Sequence, residues 1–311
     1  MDLKQFIRQK PCVYRFLMNV VEKYNETRWK FALKGFGGGP ERLIAKDYKK
    51  NTGETLRIPP VSYTEKIQFA KIYKSTPLKG ELSDKYLVRK WVANKIGEEY
   101  LIPLLGVWDK YDDIDFDELP DQFVLKTNQS SGTNVIVLDK STIDNNSLRK
   151  KFNFWIKQNW AFAGKGFEMH YQYIHPRIIA EKYVTDSNGE LNDYKFLCFN
   201  GKPYYVWVDE GRQTDHRRNV YDMDWNLQTW RQYTYKNTDH PIPKPEHFNE
   251  MVELVKTLCE GFDHVRVDLY YVDGRIYFGE MTFTNGKGYE LIIPSEANDM
   301  LGGLWEQNIT R

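Results

Sequence analysis

Apolar residues recur at helical spacing near the start of the chain. Phe6, Ile7, Val13, Phe16, Leu17 and Val20 predict a helix over 2–34, with Pro11 marking a break or a second start. The glycine-rich stretch KGFGGGP at 34–40 predicts a flexible turn, because no Gly-Lys-Ser/Thr follows to complete a phosphate loop. Two more helices are predicted over 63–76 and 84–97, the second with Asp84 as N-cap and Gly97 as its stop. LIPLLGVW at 101–108 reads as a short buried strand, and the acidic stretch 109–121 as a solvated loop with a helical turn.

Beyond residue 121 the period shortens to two. A hairpin is predicted over 122–140 around a loop of small residues, then an amphipathic helix over 147–160 and a strand over 176–184. DSNGE is a turn, DYKFLCFNGKPYYVWVDE a hairpin about Asn200-Gly201, and RNVYDMDW a strand. A helix over 245–260 precedes a last hairpin, HVRVDLYYVDGRIYFGEMTF, and PSEANDMLGGLWEQ predicts a short helix. Helices interleaved with antiparallel hairpins define an α+β protein with mixed or antiparallel sheets.

The last hairpin carries two acids that fit poorly in core strands. By alternation Arg266 and Asp268 share one face, Val265 and Val267 the other; Phe278 and Glu280 are expected to share a face. With the turn near Asp273-Gly274, Asp268 and Glu280 lie six residues either side of position 274, close together, with Arg266 just beyond. Paired carboxylates repel unless a cation lies between them. Hard oxygen donors in a half-open site suit Mg²⁺; edge-strand acids facing water or an arginine are the other reading.

Composition narrows the class. The net charge of +1 argues against a general nucleic-acid binder. Cys12, Cys198 and Cys259 are odd in number and far apart, which argues against a disulfide framework or a zinc site and favours a reducing compartment. With no run of about 18 apolar residues and no signal-peptide pattern, the expected location is cytoplasmic, with no membrane span. The length suggests about two domains, or one with subdomains.

Two further constellations carry possible chemistry. Lys126 ends an apolar strand, and Ser130, Ser131, Gly132 and Thr133 follow; small residues let backbone N–H groups approach phosphate oxygens, and lysine adds a point charge. Any polar hairpin loop has this look when taken alone. Glu181 interrupts the apolar strand RIIAEKYV, whose backbone can present donors and acceptors to a purine edge, while Asp193 and Lys195 share a face of the next strand. An ordinary edge strand reads the same way.

In their order, FVLKTNQSSGTNVIV, PRIIAEKYV, DYKFLCFNGKPYYVWVD and GFDHVRVDLYYVDGRIYFGEMTFTNGKG resemble the ATP-grasp superfamily, and in detail its TupA-like branch, associated with teichuronopeptide and capsular polysaccharide synthesis. The earlier DKYLVRKWV adds to the likeness, which spans about 60–290. It implies an ATP-grasp fold in which two α+β subdomains grip ATP after an N-terminal α/β region. The corresponding segments are a helical one at 1–60, a preceding α/β region at 61–121, a lid-bearing subdomain at 122–184 and a metal-bearing subdomain at 185–311.

The resemblance also implies roles. Lys126 contacts the α/β-phosphates under a lid of Ser130, Ser131, Gly132 and Thr133; Glu181, Lys182, Tyr183 and Val184 form the adenine-side hinge; Asp193 meets the ribose, and Lys195 reaches the phosphates. Arg266 stabilises the transferring phosphoryl group, and Asp268 and Glu280 hold Mg²⁺. Thr282 stands where many members have the asparagine of Glu-x-Asn, which leaves open whether one or two metals bind; Asn285 lies three residues on. His216, Arg217, Arg218 and Lys287 are candidates for an anionic substrate, with surface salt bridges as the alternative for the first three. The implied activity is an ATP-dependent carboxylate–amine ligase joining a small-molecule amine (an amino acid) to a sugar acid. An ATP-grasp kinase, or a non-catalytic nucleotide- or carbohydrate-binding module, remains the alternative.

Overall fold

The computed structural model describes residues 11–163, 166–186, 189, 191–211 and 215–307. Phe6, Ile7 and most of the DSNGE turn lie outside the described residues. The chain builds α1 (Pro11–Leu33), α2 (Gly39–Thr52), α3 (Tyr63–Tyr73), α4 (Pro77–Ser83) and α5 (Val88–Ile96) before its first strand, β1 (Leu104–Trp108). Helix α2 was not anticipated from the sequence: its apolar positions Leu43, Ile44 and Tyr48 are few and spread among lysines, and they are buried against Trp29 of α1. The expectation that Asp84 caps the helix over 84–97 is corrected: α5 has Leu87 at its N-cap position, and the Asp84 Oδ1 accepts instead from the backbone of Tyr86 and Leu87 at 2.8 and 3.2 Å in the turn ahead of it.

The first sheet is β1-β4-β2-β3, all antiparallel, with β2 (Phe123–Thr127), β3 (Asn134–Val137) and β4 (Ile178–Lys182). Strand alternation gives it two unlike faces. Phe123, Leu125, Ile178 and Ala180 pack against Leu148 and Phe152 of α6 (Asn145–Trp155). Tyr111, Ile114 and Leu119 join them, so the acidic stretch is a loop whose apolar residues belong to the core. The other face carries Val124, Lys126 and Glu181 toward a cleft. A short helix, α7 (Trp160–Ala163), follows α6.

The second sheet is β10-β9-β5-β6-β7, also antiparallel. Its strands are β5 (Asn192–Phe199), β6 (Lys202–Glu210), β7 (Arg217–Asp222), β9 (His264–Val272) and β10 (Arg275–Thr282). One face is largely apolar: Phe196, Val206, Val208, Val265, Val267 and Leu269 pack on α5 and on α8 (Phe248–Cys259). The opposite face divides along its length. At one end Leu197, Phe199, Trp207 and Val220 are covered by α3 and α9 (Ser295–Leu304); at the other, Asp193, Lys195, Asp209, Arg266, Asp268 and Glu280 line a cavity. Two short strands, β8 (Arg231–Gln232) and β11 (Ile292–Ile293), pair beside it.

The last hairpin closes with Val272 opposite Arg275, on a two-residue loop with Asp273 and Gly274 both at positive φ (46° and 80°). Continued without interruption, that register would set Gly279 opposite Asp268 and turn Glu280 to the apolar face. A bulge between Phe278 and Glu280 adds one residue, and Glu280 pairs directly with Asp268. The expectation that Phe278 and Glu280 share a face is therefore corrected: Phe278 pairs with Leu269 and lies in the apolar core, while Glu280 faces the cavity. Gly279 suits the bulge, since a Cβ there would stand 3.1 Å from the Asp268 carbonyl oxygen and 3.2 Å from the Tyr270 ring. No helix among the described residues is long and apolar enough to cross a membrane.

Candidate active site

Two cavities lie between the sheets, of about 340 and 480 Å³. Each is in the size range of small-molecule sites, roughly 300–1,000 Å³. Lys85, Ser130, Ser131, Tyr270 and Glu280 border both, so the two form one cleft with a waist.

The smaller cavity has apolar walls from Ile102, Val124, Ile136, Val184 and Leu191, with Lys182 and Tyr183 at its rim. Lys126 projects into it from β2, and its Nζ lies 2.5 Å from Glu181 Oε2. Arg89 Nη1 stands 3.5 Å from the other oxygen of Glu181. Glu181 thus anchors the lysine across the sheet. The loop of Ser130, Ser131, Gly132 and Thr133 arches over the waist. The hydroxyls of Thr127, Ser130 and Thr133 bond one another at its base. Buried Asn128 ties that base down: Nδ2 donates to Asp84 Oδ2 at 2.7 Å, and Oδ1 accepts from the Arg177 backbone at 2.7 Å. Lys85 Nζ donates to the Ser130 carbonyl at 2.7 Å. Sequence reasoning missed Lys85, although it follows the predicted cap Asp84 directly.

Beyond the waist the charges form a closed circuit. Arg266 grips Asp268 with two bonds of 2.7 Å and reaches Glu280 Oε1 at 2.7 Å. Asp268 accepts from Lys195 at 3.0 Å, and Lys195 also bonds Asp193 and stands 3.7 Å from Asp209. Arg218 holds Asp209 through both oxygens and donates to Gln232, which donates to Glu290. Asn285 donates to Glu290 at 3.3 Å and accepts from Arg266, closing the loop. Buried charges are tolerated when paired and hydrogen-bonded in this way.

This circuit sets the protonation states. Burial pushes Glu280 up, but Arg266, Lys85 and Lys195 outweigh it and hold the carboxyl down to about 2. Burial raises Asp268, with Arg266 and Lys195 pulling against it. Burial lowers Lys195, yet Asp193 and Asp268 leave it above its ordinary value.

The remaining predicted residues divide. Asp193 lines the larger cavity at Lys195, not the smaller one that Val184 borders. Thr282 Oγ1 donates to Glu280 Oε1 at 2.9 Å on the same face. His216 lies 3.3 Å from Asp209, and Arg218 has its guanidinium 4.1 Å from the Tyr235 ring centre; both line the larger cavity. Arg217, one step along β7, turns away to Asp215 at 2.7 Å and lines neither cavity. Lys287 lines the larger cavity from the turn over 285–288. Gln232 and Glu290 were not anticipated; they sit on or beside β8 and β11, too short to carry a pattern.

The Lys287 turn is fastened from beneath. Lys287 has φ 61°, and its carbonyl accepts from buried Lys71 at 2.8 Å and from Gln68 at 3.0 Å. Burial lowers Lys71 to about 7, with Glu168 and Asp47 opposing the shift and Lys287 adding to it. The unfolded chain keeps this proton up to the ordinary value of 10.5. The contribution of Lys71 to stability therefore rises with pH across the window from 7 to 10.5, where the unfolded state binds more protons at this group. A Lys71→Met variant is expected to lose that slope, read as urea midpoints across the same window.

Asp268 and Glu280 present oxygen donors only, and Glu280 Oε2 has no hydrogen-bond partner among the described residues. Among those residues no cluster of three or more His, Cys, Asp or Glu is arranged to hold a metal. Two carboxylates fit Mg²⁺, which is held by one or two carboxylates and completed by waters and substrate phosphates.

Two antiparallel sheets closing on a nucleotide-sized cleft, with a lysine and a small-residue loop on one and paired acids on the other, form an ATP-grasp protein. The chain belongs to the TupA-like ATP-grasp family, whose profile matches residues 65–306. No curated protein matches its sequence significantly. Among solved structures it is similar to D-alanine–D-alanine ligase from Bacillus anthracis, at 18% identity and TM-score 0.40 over 72% of this chain and 65% of that one. D-alanyl-alanine synthetase A from Vibrio cholerae is 13% identical, with TM-score 0.42 over 73% and 61%. An N5-carboxyaminoimidazole synthase from Aspergillus clavatus, in complex with ADP and a ribonucleotide, is 12% identical, with TM-score 0.37 over 66% and 45%. The chain thus spans less than two thirds of the length of these proteins.

Proposed function

We propose that the protein is an ATP-dependent carboxylate–amine ligase that joins an amino acid to a sugar acid in the synthesis of a cell-surface polysaccharide. The observation that carries this reading is Glu280, which borders both cavities and is held by Arg266, with Asp268 and Lys195 beside them on the wall of the larger cavity. A phosphoryl donor in the smaller cavity and an acceptor in the larger would meet at the waist.

In this reading the adenine lies against Val124, Ile136 and Val184, beside the backbone of Glu181–Val184. Lys126 and Lys85 meet the phosphates beneath the loop of Ser130, Ser131, Gly132 and Thr133. Mg²⁺, held by Asp268 and Glu280 with Thr282 beside them, supplies positive charge for the phosphates. Arg266 and Lys195 bind the oxygens of the phosphoryl group as it moves. A substrate carboxylate oxygen attacks the γ-phosphorus, the bond to ADP breaks, and an acyl phosphate results. The amine then attacks the acyl carbon, and inorganic phosphate leaves with the bonding electrons.

The sugar-acid assignment draws on the family and on the walls of the larger cavity. Trp160, Tyr171, Tyr235 and Tyr270 supply aromatic faces, and His216, Arg218 and Lys287 supply positive charge. Arg217 has no place in it. A screen of uronic acids against amino acids for ADP release, with product masses, identifies the pair. Hydroxylamine then separates the two enzymatic readings. A hydroxamate accompanies ADP if a carboxylate is activated; ADP release with a phosphorylated sugar and no hydroxamate makes the protein a kinase.

A further inference from the structure

Glu168 has no role in the chemistry described above. It is 8% exposed and lines the larger cavity just ahead of the turn Met169–Tyr173. Its Oε1 accepts from the Thr284 hydroxyl. Its Oε2 has no hydrogen-bond partner among the described residues, and no lysine or arginine nitrogen there lies within ion-pair distance of either oxygen. A carboxylate oxygen left open on a cavity wall is suited to a donor that arrives with the ligand.

The neighbours define the chemistry of that donor. Lys71 is already engaged with the Lys287 carbonyl and stacked on the Tyr289 ring at 4.4 Å. Lys287 comes alongside Glu168: a Cβ on Gly166 would meet Lys287 Cδ at 3.0 Å and Glu168 Oε2 at 3.1 Å. An acid and a base therefore line one end of the cavity side by side. Tyr171 lines the same cavity.

We propose that Glu168 docks the ammonium group of the amine substrate and takes its proton, with Lys287 beside it for the carboxylate of a zwitterionic amino acid. This rests on the ligase reading and specifies its second half. The ammonium gives one proton to Glu168 Oε2, which becomes a neutral carboxylic acid. The freed lone pair forms the C–N bond, the C–O bond to phosphate breaks, and the second amine proton leaves with the phosphate or to water. Burial favours the protonated acid, with Lys287, Thr284 and Lys71 opposing, so the carboxyl is a stronger base than an exposed glutamate. Tyr171 and Tyr289 also face it and stay neutral, both raised by burial.

The test compares two nucleophiles on Glu168→Gln, using the uronic acid found active in the screen. Hydroxylamine is neutral at pH 7 and needs no docking carboxylate; the amino acid does. The expected result is a hydroxamate rate close to wild type, with KM for the amino acid raised about 10–100-fold, the loss of one hydrogen bond to a charged group. The acid limb of the amino-acid pH profile, set by Glu168 and lying above the ordinary carboxylate range, disappears as well. An unchanged KM and pH profile overturns the proposal. Should the glutamine disturb folding, Glu168→Asp keeps the charge on a shorter stem, and a raised amino-acid KM with an unchanged hydroxamate rate decides for the proposal, an unchanged KM against it. A wild-type protein that forms no hydroxamate with any carboxylate removes the ligase reading, and this proposal with it. Hydroxamate formation by both proteins, with equal use of the amino acid, removes this proposal alone.

Discussion

Glu280→Gln is expected to lower the rate of ADP release by about 10²–10³-fold, the loss seen when one charged or hydrogen-bonding group is removed from a transferring centre. The fold is expected to survive. Glu280 is 32% exposed at its side chain, its Thr282 contact can be kept by an amide oxygen, and Arg266 retains both bonds to Asp268. The carboxyl is held down to about 2, so it is charged at every pH at which the protein would be assayed, and the variant differs by one full charge. Its contribution to stability is present above the ordinary value of 4.5 and is lost as pH falls toward 2. The measurement is ADP release against Mg²⁺ concentration, beside a urea midpoint. Loss of rate with a rightward shift in Mg²⁺ dependence and a near-constant midpoint is the expected pair. An unchanged rate would remove Glu280 from the metal site.

Arg266→Met acts on stability as well. The guanidinium is buried and stands between Asp268 and Glu280, which the hairpin sets directly opposite each other. Without it Lys195 alone faces Asp268, and two carboxylates confront each other in a poorly solvated place. Breaking a buried ion network on one side costs about 3–5 kcal/mol, a large part of the stability of a typical domain. The loss should appear in the urea midpoint, with ADP release abolished. A triple variant, Arg266→Met with Asp268→Asn and Glu280→Gln, removes the uncompensated charge and is expected to recover much of the midpoint and none of the activity. If the single variant is as stable as wild type, the circuit around Arg266 contributes little to the fold.

Much of the scaffold is legible in local patterns. Alternation in VRVDLYY and in NDYKFLCF assigns Arg266, Asp268, Asp193 and Lys195 to one kind of face and the valines and Phe196 to the other, and the structure keeps that division. The helices α3, α5, α6, α8 and α9 fall where apolar spacing or capping residues put them, within a few residues at their ends. Helix α2 escaped because its buried face is small and its lysines dominate the count. Lys85 escaped for a different reason: nothing beside a helix cap announces which lysine a distant loop will cover. Glu168, Gln232 and Glu290 stand in segments with little periodicity, and only the pairing of Ile292 with Gln232 and the approach of the turn over 285–288 bring Glu168 and Glu290 to the cavity and Gln232 to the charges behind it.

What the amino-acid order determined by itself was therefore the inventory: antiparallel hairpins with one apolar face, a lysine before a small-residue loop, and acids on strands where aliphatic residues would pack better. Those are consequences of side-chain period and turn chemistry, which act over a few residues. The tertiary structure decided whether the acids meet. A two-residue turn alone would send Glu280 to the core, and one extra residue at Gly279 returns it to Asp268. It also decided that the charges close into a circuit, because that circuit joins β5, β6, β7, β9, β10 and the turn over 285–288. Register and long-range contact depend on how whole strands pack, and a one-residue shift moves every side chain beyond it to the other face.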